Sequence, residues 1–171
     1  MKNLKTLLLS LTVVLMTSNL WSQDETFSFS GSIDTYARYN FSSAQLQAPG
    51  TSFANLPGFS LGMANLIASY EGEKVGFVAD FVFGPRGAEA VFGSVGSSNI
   101  VNQLYAYINV SDSFTLTLGN FNTFLGYEVI SPVGNFNYST SYMFSYGPFS
   151  HTGIKADIAL NEDWSLMLGL M

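Results

Sequence analysis

The only imidazole in the chain is His151, and there is no cysteine. Histidine-dependent nucleophilic catalysis would have to run through that one ring, with a serine beside it and a polar group to orient it. No serine follows His151 before Ser165, so the simpler reading is a polar residue at a strand start within Gly147 to Gly153. One histidine and scattered carboxylates lack the spacing of a metal site. The absence of cysteine removes zinc knuckles, disulfide frameworks and thiol nucleophiles together. No glycine loop shaped to cradle phosphate occurs, and no cofactor is implied. Asn40, Asn109 and Asn137 each begin an Asn-x-Ser triplet, a pattern that a Ser- and Asn-rich chain produces by chance.

What remains is a thin set of charges and rings. Asp34, Arg38, Asp80, Lys155 and Asp157 fall inside the segments that alternate most regularly. Facing a narrow aqueous path, such charges bias the sign of the ion that passes; on neighbouring strands they equally well pair and solvate a wall. Tyr36, Tyr105 and Tyr107 form either a stacking track for sugars or ordinary barrel wall. Glu128 is the one carboxylate between Asn120 and Ser150. It points into a channel or binds backbone amides of its own loop, the second being the favoured reading. Which of these holds depends on the elements that carry the residues.

Composition narrows those elements. Charged residues make up 11% of the chain, against about a quarter in soluble domains, so an ordinary soluble enzyme fits poorly. Hydrophobic residues at 47%, aromatics at 15% and only five prolines oppose disorder. A length of 171 allows one domain, and a formal charge of −6 argues against a nucleic-acid partner. Lys2 and Lys5, the apolar run Leu7 to Met16 and the polar tail Thr17 to Ser22 read as a secretory signal peptide over residues 1–22. The apolar run is too short for a membrane anchor. Removing it takes away two lysines, leaving 23–171 as the mature domain with a charge of −8. No later window reaches the 18 apolar residues of a helical span, so another structure must absorb the hydrophobicity.

That structure is a strand set. From Phe27 to Phe41 the odd positions are mostly apolar and the even ones are Ser28, Ser30, Ser32, Asp34, Tyr36, Arg38 and Asn40, a period of two. The same alternation recurs over Val75–Gly84, Gln103–Val110, Phe114–Gly119, His151–Leu160 and Trp164–Leu170. In each, one phase is apolar and the other carries the charges and the tyrosines. Phe59 to Tyr70 is the exception: apolar or small on both phases, it reads as a strand without assignable faces. Aromatics near the ends of the apolar face fit interfacial girdles, and the serine-rich opposite face fits a watery lumen.

Short turns at Glu71–Lys74, Ser111–Ser113 and Asn161–Asp163 alternate with long connections at Ser42–Gly58, Pro85–Asn102 and Asn120–Ser150. In an up-and-down barrel this parity sends every short turn to one rim and every long loop to the other. A β-sandwich has no reason to sort its loops that way. The expected fold is therefore all-β, a transmembrane antiparallel meander of about seven strands. The last long connection, rich in Tyr, Asn and Phe, either folds into the lumen or covers the barrel mouth from outside.

Four runs make the reading specific: Phe83-Gly84-Pro85-Arg86-Gly87, then Leu125 to Pro132, then Asn135 to Tyr142, and Gly147 to Gly153. Together they resemble the OmpL-like beta-barrel porin-2 family of outer-membrane barrels. The resemblance implies a barrel in the outer membrane and passive passage of small hydrophilic solutes or ions, with no catalytic or binding residues to carry over. Such barrels are longer, and this chain reaches Met171 inside an apparent strand, leaving two open sheet edges. It is expected to be the N-terminal portion of a barrel or a truncated product. Lipid on the outside and small hydrophilic solutes inside are the expected partners. A non-conducting structural or adhesive barrel is the alternative. A barrel enzyme lacks residues, and a soluble ligand-binding barrel would need its apolar face inside and more outer charge than these strands offer.

Overall fold

The computed structural model describes residues 26–41, 53–91 and 100–171. The expected signal peptide at 1–22 lies outside the described residues, as do 42–52 and 92–99 of the first two long connections. Seven strands follow one another: β1 (Thr26–Arg38), β2 (Gly58–Glu71), β3 (Val75–Phe83), β4 (Val101–Ser111), β5 (Phe114–Asn122), β6 (Ser150–Ala159) and β7 (Ser165–Leu170). They form one sheet in sequence order, each antiparallel to the next. The meander expected from the turns is the one observed, and the sheet is open, with β1 and β7 as its edges.

Each short turn is fixed locally. Gly72 N donates to Val75 O at 3.1 Å between β2 and β3. Between β6 and β7 the Asn161 side-chain oxygen accepts from Asp163 N and Trp164 N at 3.0 and 2.9 Å, the Asx geometry that makes asparagine a turn former. The long connections hold short helical pieces that strand periodicity does not announce. α1 (Pro85–Ala90) starts on a proline at its first turn, where the missing N–H costs nothing. A 3-10 turn spans Pro132–Gly134, and α2 (Tyr142–Tyr146) is capped by Ser141, whose hydroxyl accepts from Phe144 N.

Cross-strand partners share a face, so the register settles the phase of every strand. On one face stand Ile33 with Ala64, Phe77 with Ala106, Ile108 with Leu116, Leu118 with Ile154 and Ala156 with Leu168. This face is uncovered: Ile33 is 78% exposed, Leu118 64% and Leu168 57%. On the other face stand Ser32 with Asn65, Ile67 with Asp80, Tyr107 with Thr117 and Thr117 with Lys155.

The unassignable strand, β2, is explained by a bulge. Asp34 pairs with Met63 and Thr35 with Leu61, so Gly62 is left over and the alternation changes phase there. Phe59 and Leu61 before the bulge and Ala64, Leu66, Ala68 and Tyr70 after it all lie on the apolar face. A residue period of two cannot be read through an extra residue. Asn102 in β4 and Val110 near its end are left over in the same way.

The packed core lies on the polar side of the sheet. Met63 of β2 and Val82 of β3 are buried there against Phe53, Val91, Ile130 and Phe144, with Phe149 packed alongside. Those partners come from all three long connections. A sheet that packs its loops against the polar face and leaves its apolar face open is the inverse of a soluble sandwich, and hydrocarbon is the surrounding that such a face suits. No described helix is long and apolar enough to cross a membrane.

Candidate functional site

The inner face, the side on which the loops pack, gathers most of the residues singled out from sequence. Asp34, Tyr36 and Arg38 of β1, Asp80 of β3, Tyr105 and Tyr107 of β4, and Lys155 and Asp157 of β6 share it through the register. The first group meets the loops. Arg38 Nη1 donates to the Asn55 carbonyl at 3.2 Å, and Tyr36 Oη accepts from Leu56 N at 3.0 Å. Asn55 in turn donates to Glu89 Oε1 at 2.6 Å, joining the first long connection to α1.

Asp80 sits lower on the wall, 4% exposed, and accepts from Asn102 Nδ2 at 2.7 Å and Asn65 Nδ2 at 3.4 Å. Asn65 Oδ1 also accepts from Ser32 Oγ and from Ser32 N, so an amide relay crosses from β1 to β4. Lys155 and Asp157 pair at 2.6 Å within one strand, where sequence had suggested pairing between neighbours.

Glu128 stands apart from the wall. It is 7% exposed, and its carboxylate accepts from Ser141 N at 2.8 Å and from the Ser141 hydroxyl. It therefore braces the N-terminus of α2 inside its own loop. His151 is likewise occupied: its ring stacks on Phe124 at 4.4 Å and its Nε2 lies 3.1 Å from Thr123 Oγ1.

The junction that positions the longest loop was not singled out from the sequence. Arg86, at the start of α1, is fully buried. Its Nε donates to Ile130 O at 2.6 Å and its Nη1 to Tyr138 O at 3.0 Å, which ties α1 to two separated points of the last connection. The guanidinium also lies over the rings of Phe53 and Tyr138, at 4.8 and 5.0 Å from their centroids. Burial lowers its pKa from the ordinary arginine value, against the pull of Tyr138, Asp34 and Glu89. Tyr138 reaches on to the wall, its hydroxyl donating to Asp34 Oδ2 at 2.8 Å. Burial first, and then this bond to a carboxylate, push the phenol up to about 12.

The loop that sequence left between lumen and exterior is thus clamped against the inner face. Arg86, Glu128, Tyr138 and Phe149 each fall in a different one of the four runs quoted above. A signal was present in a chain of six basic residues: one of them, Arg86, lies between Gly84 and Gly87 directly after a strand. Nothing in its neighbours says that it is buried.

The family model described as "Putative beta-barrel porin-2, OmpL-like" matches residues 26–171. The chain belongs to the OmpL-like beta-barrel porin-2 family. No curated protein and no solved structure matches it. A porin-family barrel implies the outer membrane, and the two faces of the sheet fit that setting: one apolar and open, the other polar and carrying a loop held through Arg86 and Tyr138. On this face Asp34 and Arg38 stand toward the loop end of β1, Lys155 and Asp157 toward the turn end of β6, and Asp80 between them on β3 among the amides of Asn65 and Asn102.

Proposed function

We propose that the chain forms part of an outer-membrane barrel through which small hydrophilic solutes and ions diffuse passively, with residues 123–149 narrowing the path. The single observation that carries this reading is the Tyr138 to Asp34 bond, together with Arg86 behind it, which seats the long loop on the polar face and not outside it. A loop whose role was adhesion or surface cover would extend away from the wall. Asp34, Tyr36, Arg38, Asp80, Tyr105, Tyr107, Lys155 and Asp157 are the proposed lining; Glu128 serves the loop and not the path. Export through the segment 1–22 and contact of the apolar face with outer-membrane lipid belong to the same reading.

Liposome swelling tests it. Vesicles holding the native protein purified from outer membranes are expected to swell in isotonic solutions of small uncharged solutes, at rates that fall steeply with solute size. Protein that inserts and resists heat unfolding as a barrel yet gives no swelling assigns the chain to the structural or adhesive alternative.

A further inference from the structure

Beside the clamp, the inner face of β4, β5 and β6 forms a groove of about 490 Å³ within the proposed lining. Its floor is aromatic. Tyr107 lies opposite Gly76 of β3, and its ring atoms stand 2.3–2.6 Å from where a Cβ on Gly76 would be, so the ring lies back over the neighbouring strand. Glycine in a strand interior weakens the strand, and here it makes room for a flat ring. Two residues along β4, a spacing of about 7 Å, Tyr105 meets Phe121 edge to face with centroids 6.4 Å apart. At the loop end Phe124 stacks on His151. Aromatic faces therefore recur from the turn end of the groove to its loop end.

The polar groups along this track are mostly neutral. Gln103 accepts from Asn122 N through its side-chain oxygen at 3.0 Å, so its amide protons are the part it offers to a ligand. Thr117 and the two tyrosine hydroxyls stand on the same wall. The one cation, Lys155, is held by Asp157 at 2.6 Å and lies over Phe121 at 5.5 Å. The one lining carboxylate, Glu71, sits at the turn end. Among the described residues, a phosphate or carboxylate solute would find no unpaired cation along this groove. A molecule with apolar C–H faces and a rim of hydroxyls finds rings for its faces and amides and hydroxyls for its rim.

We propose that this groove is a subsite for neutral sugars, a step that rests on the channel reading and adds a substrate class to it. Sugar rings lie on Tyr107 and Tyr105, with hydroxyls directed to the Gln103 amide.

The test uses the native protein in planar bilayers, with maltotriose as the probe. Maltotriose is expected to block the ion current saturably. Tyr107→Ala should raise the half-blocking concentration about tenfold and Tyr107→Phe, which keeps the ring, much less. Gln103→Leu, four residues from Tyr107 on the same face of β4, should weaken the block in the same direction and serves if Tyr107→Ala does not assemble. Glucose 6-phosphate should give no saturable block, and a polyethylene glycol of similar size should lower the current without saturation. A steady current that maltotriose does not block saturably, or a half-blocking concentration unmoved by both variants, overturns the subsite and leaves the channel standing. Equal block by glucose 6-phosphate overturns its neutral preference. Saturable maltotriose binding by calorimetry, in protein that carries no current, keeps the subsite and removes the channel.

Discussion

Arg86 and Tyr138 decide where the longest loop lies. Replacing Arg86 with Met orphans the buried carbonyl of Ile130 and the half-buried carbonyl of Tyr138, at a cost of about 1 to 3 kcal/mol for the first and less for the second. The variant is expected to lose its folded electrophoretic mobility at lower temperature and to open residues 123–149 to protease. Arg86→Lys should rescue little, because one ammonium cannot reproduce a planar fork that serves two carbonyls and two ring faces. Tyr138 adds a pH dependence with a definite sign. Its folded pKa, about 12, is raised above the ordinary 10.0, so its contribution is whole below pH 10 and is lost as the pH climbs through about 12. Protease protection of the loop should hold at pH 9 and fall between pH 10 and 12, and Tyr138→Phe should flatten that fall; a loop equally protected at pH 12 in both proteins would show that the phenol does not hold it. Neither residue was legible as a site in the sequence, since burial of an arginine in a Gly-flanked turn depends on chain segments far from it.

At the scale of the strand, most of the structure could be read in advance. β1 and β3 to β7 keep the faces their alternation prescribes, because a period of two maps directly onto the two sides of a sheet. β2 could not be read, since Gly62 inserts an extra residue and exchanges the phases midway. α1 and α2 escaped for a different reason: pieces of six and five residues carry no helical period of their own and rest on a proline start and a serine cap. The face assignment predicts a sharp asymmetry between neighbours. Ile108→Arg places a charge on the apolar face proposed to meet lipid, at a cost of about 2 to 4 kcal/mol toward the bilayer midplane and less near the rim, whereas Tyr107→Arg leaves it on the polar inner face. Outer-membrane yield and heat resistance should fall strongly for the first and little for the second. Equal losses would mean that the two faces are reversed or that neither meets lipid.

For the whole molecule, the alternation of short turns with long connections matches the observed meander, and the structure adds that Phe53, Val91, Ile130 and Phe144, one or more from the described part of each long connection, pack on the inner face in one core. Sequence left the direction of the last loop open because its Tyr, Asn and Phe suit either a lumen or a surface; the choice is made by contacts with Arg86 and Asp34 that lie 52 and 104 residues from Tyr138. The central claim is that this inward loop narrows an aqueous path. Single-channel conductance of the native protein, compared with a variant lacking Val133 to Tyr146, tests it most directly. A clear rise in conductance is expected in the deletion variant, since the narrowest section is removed while the wall remains. Unchanged conductance, accompanied only by altered protease access at the cell surface, would place the loop outside the path and contradict it.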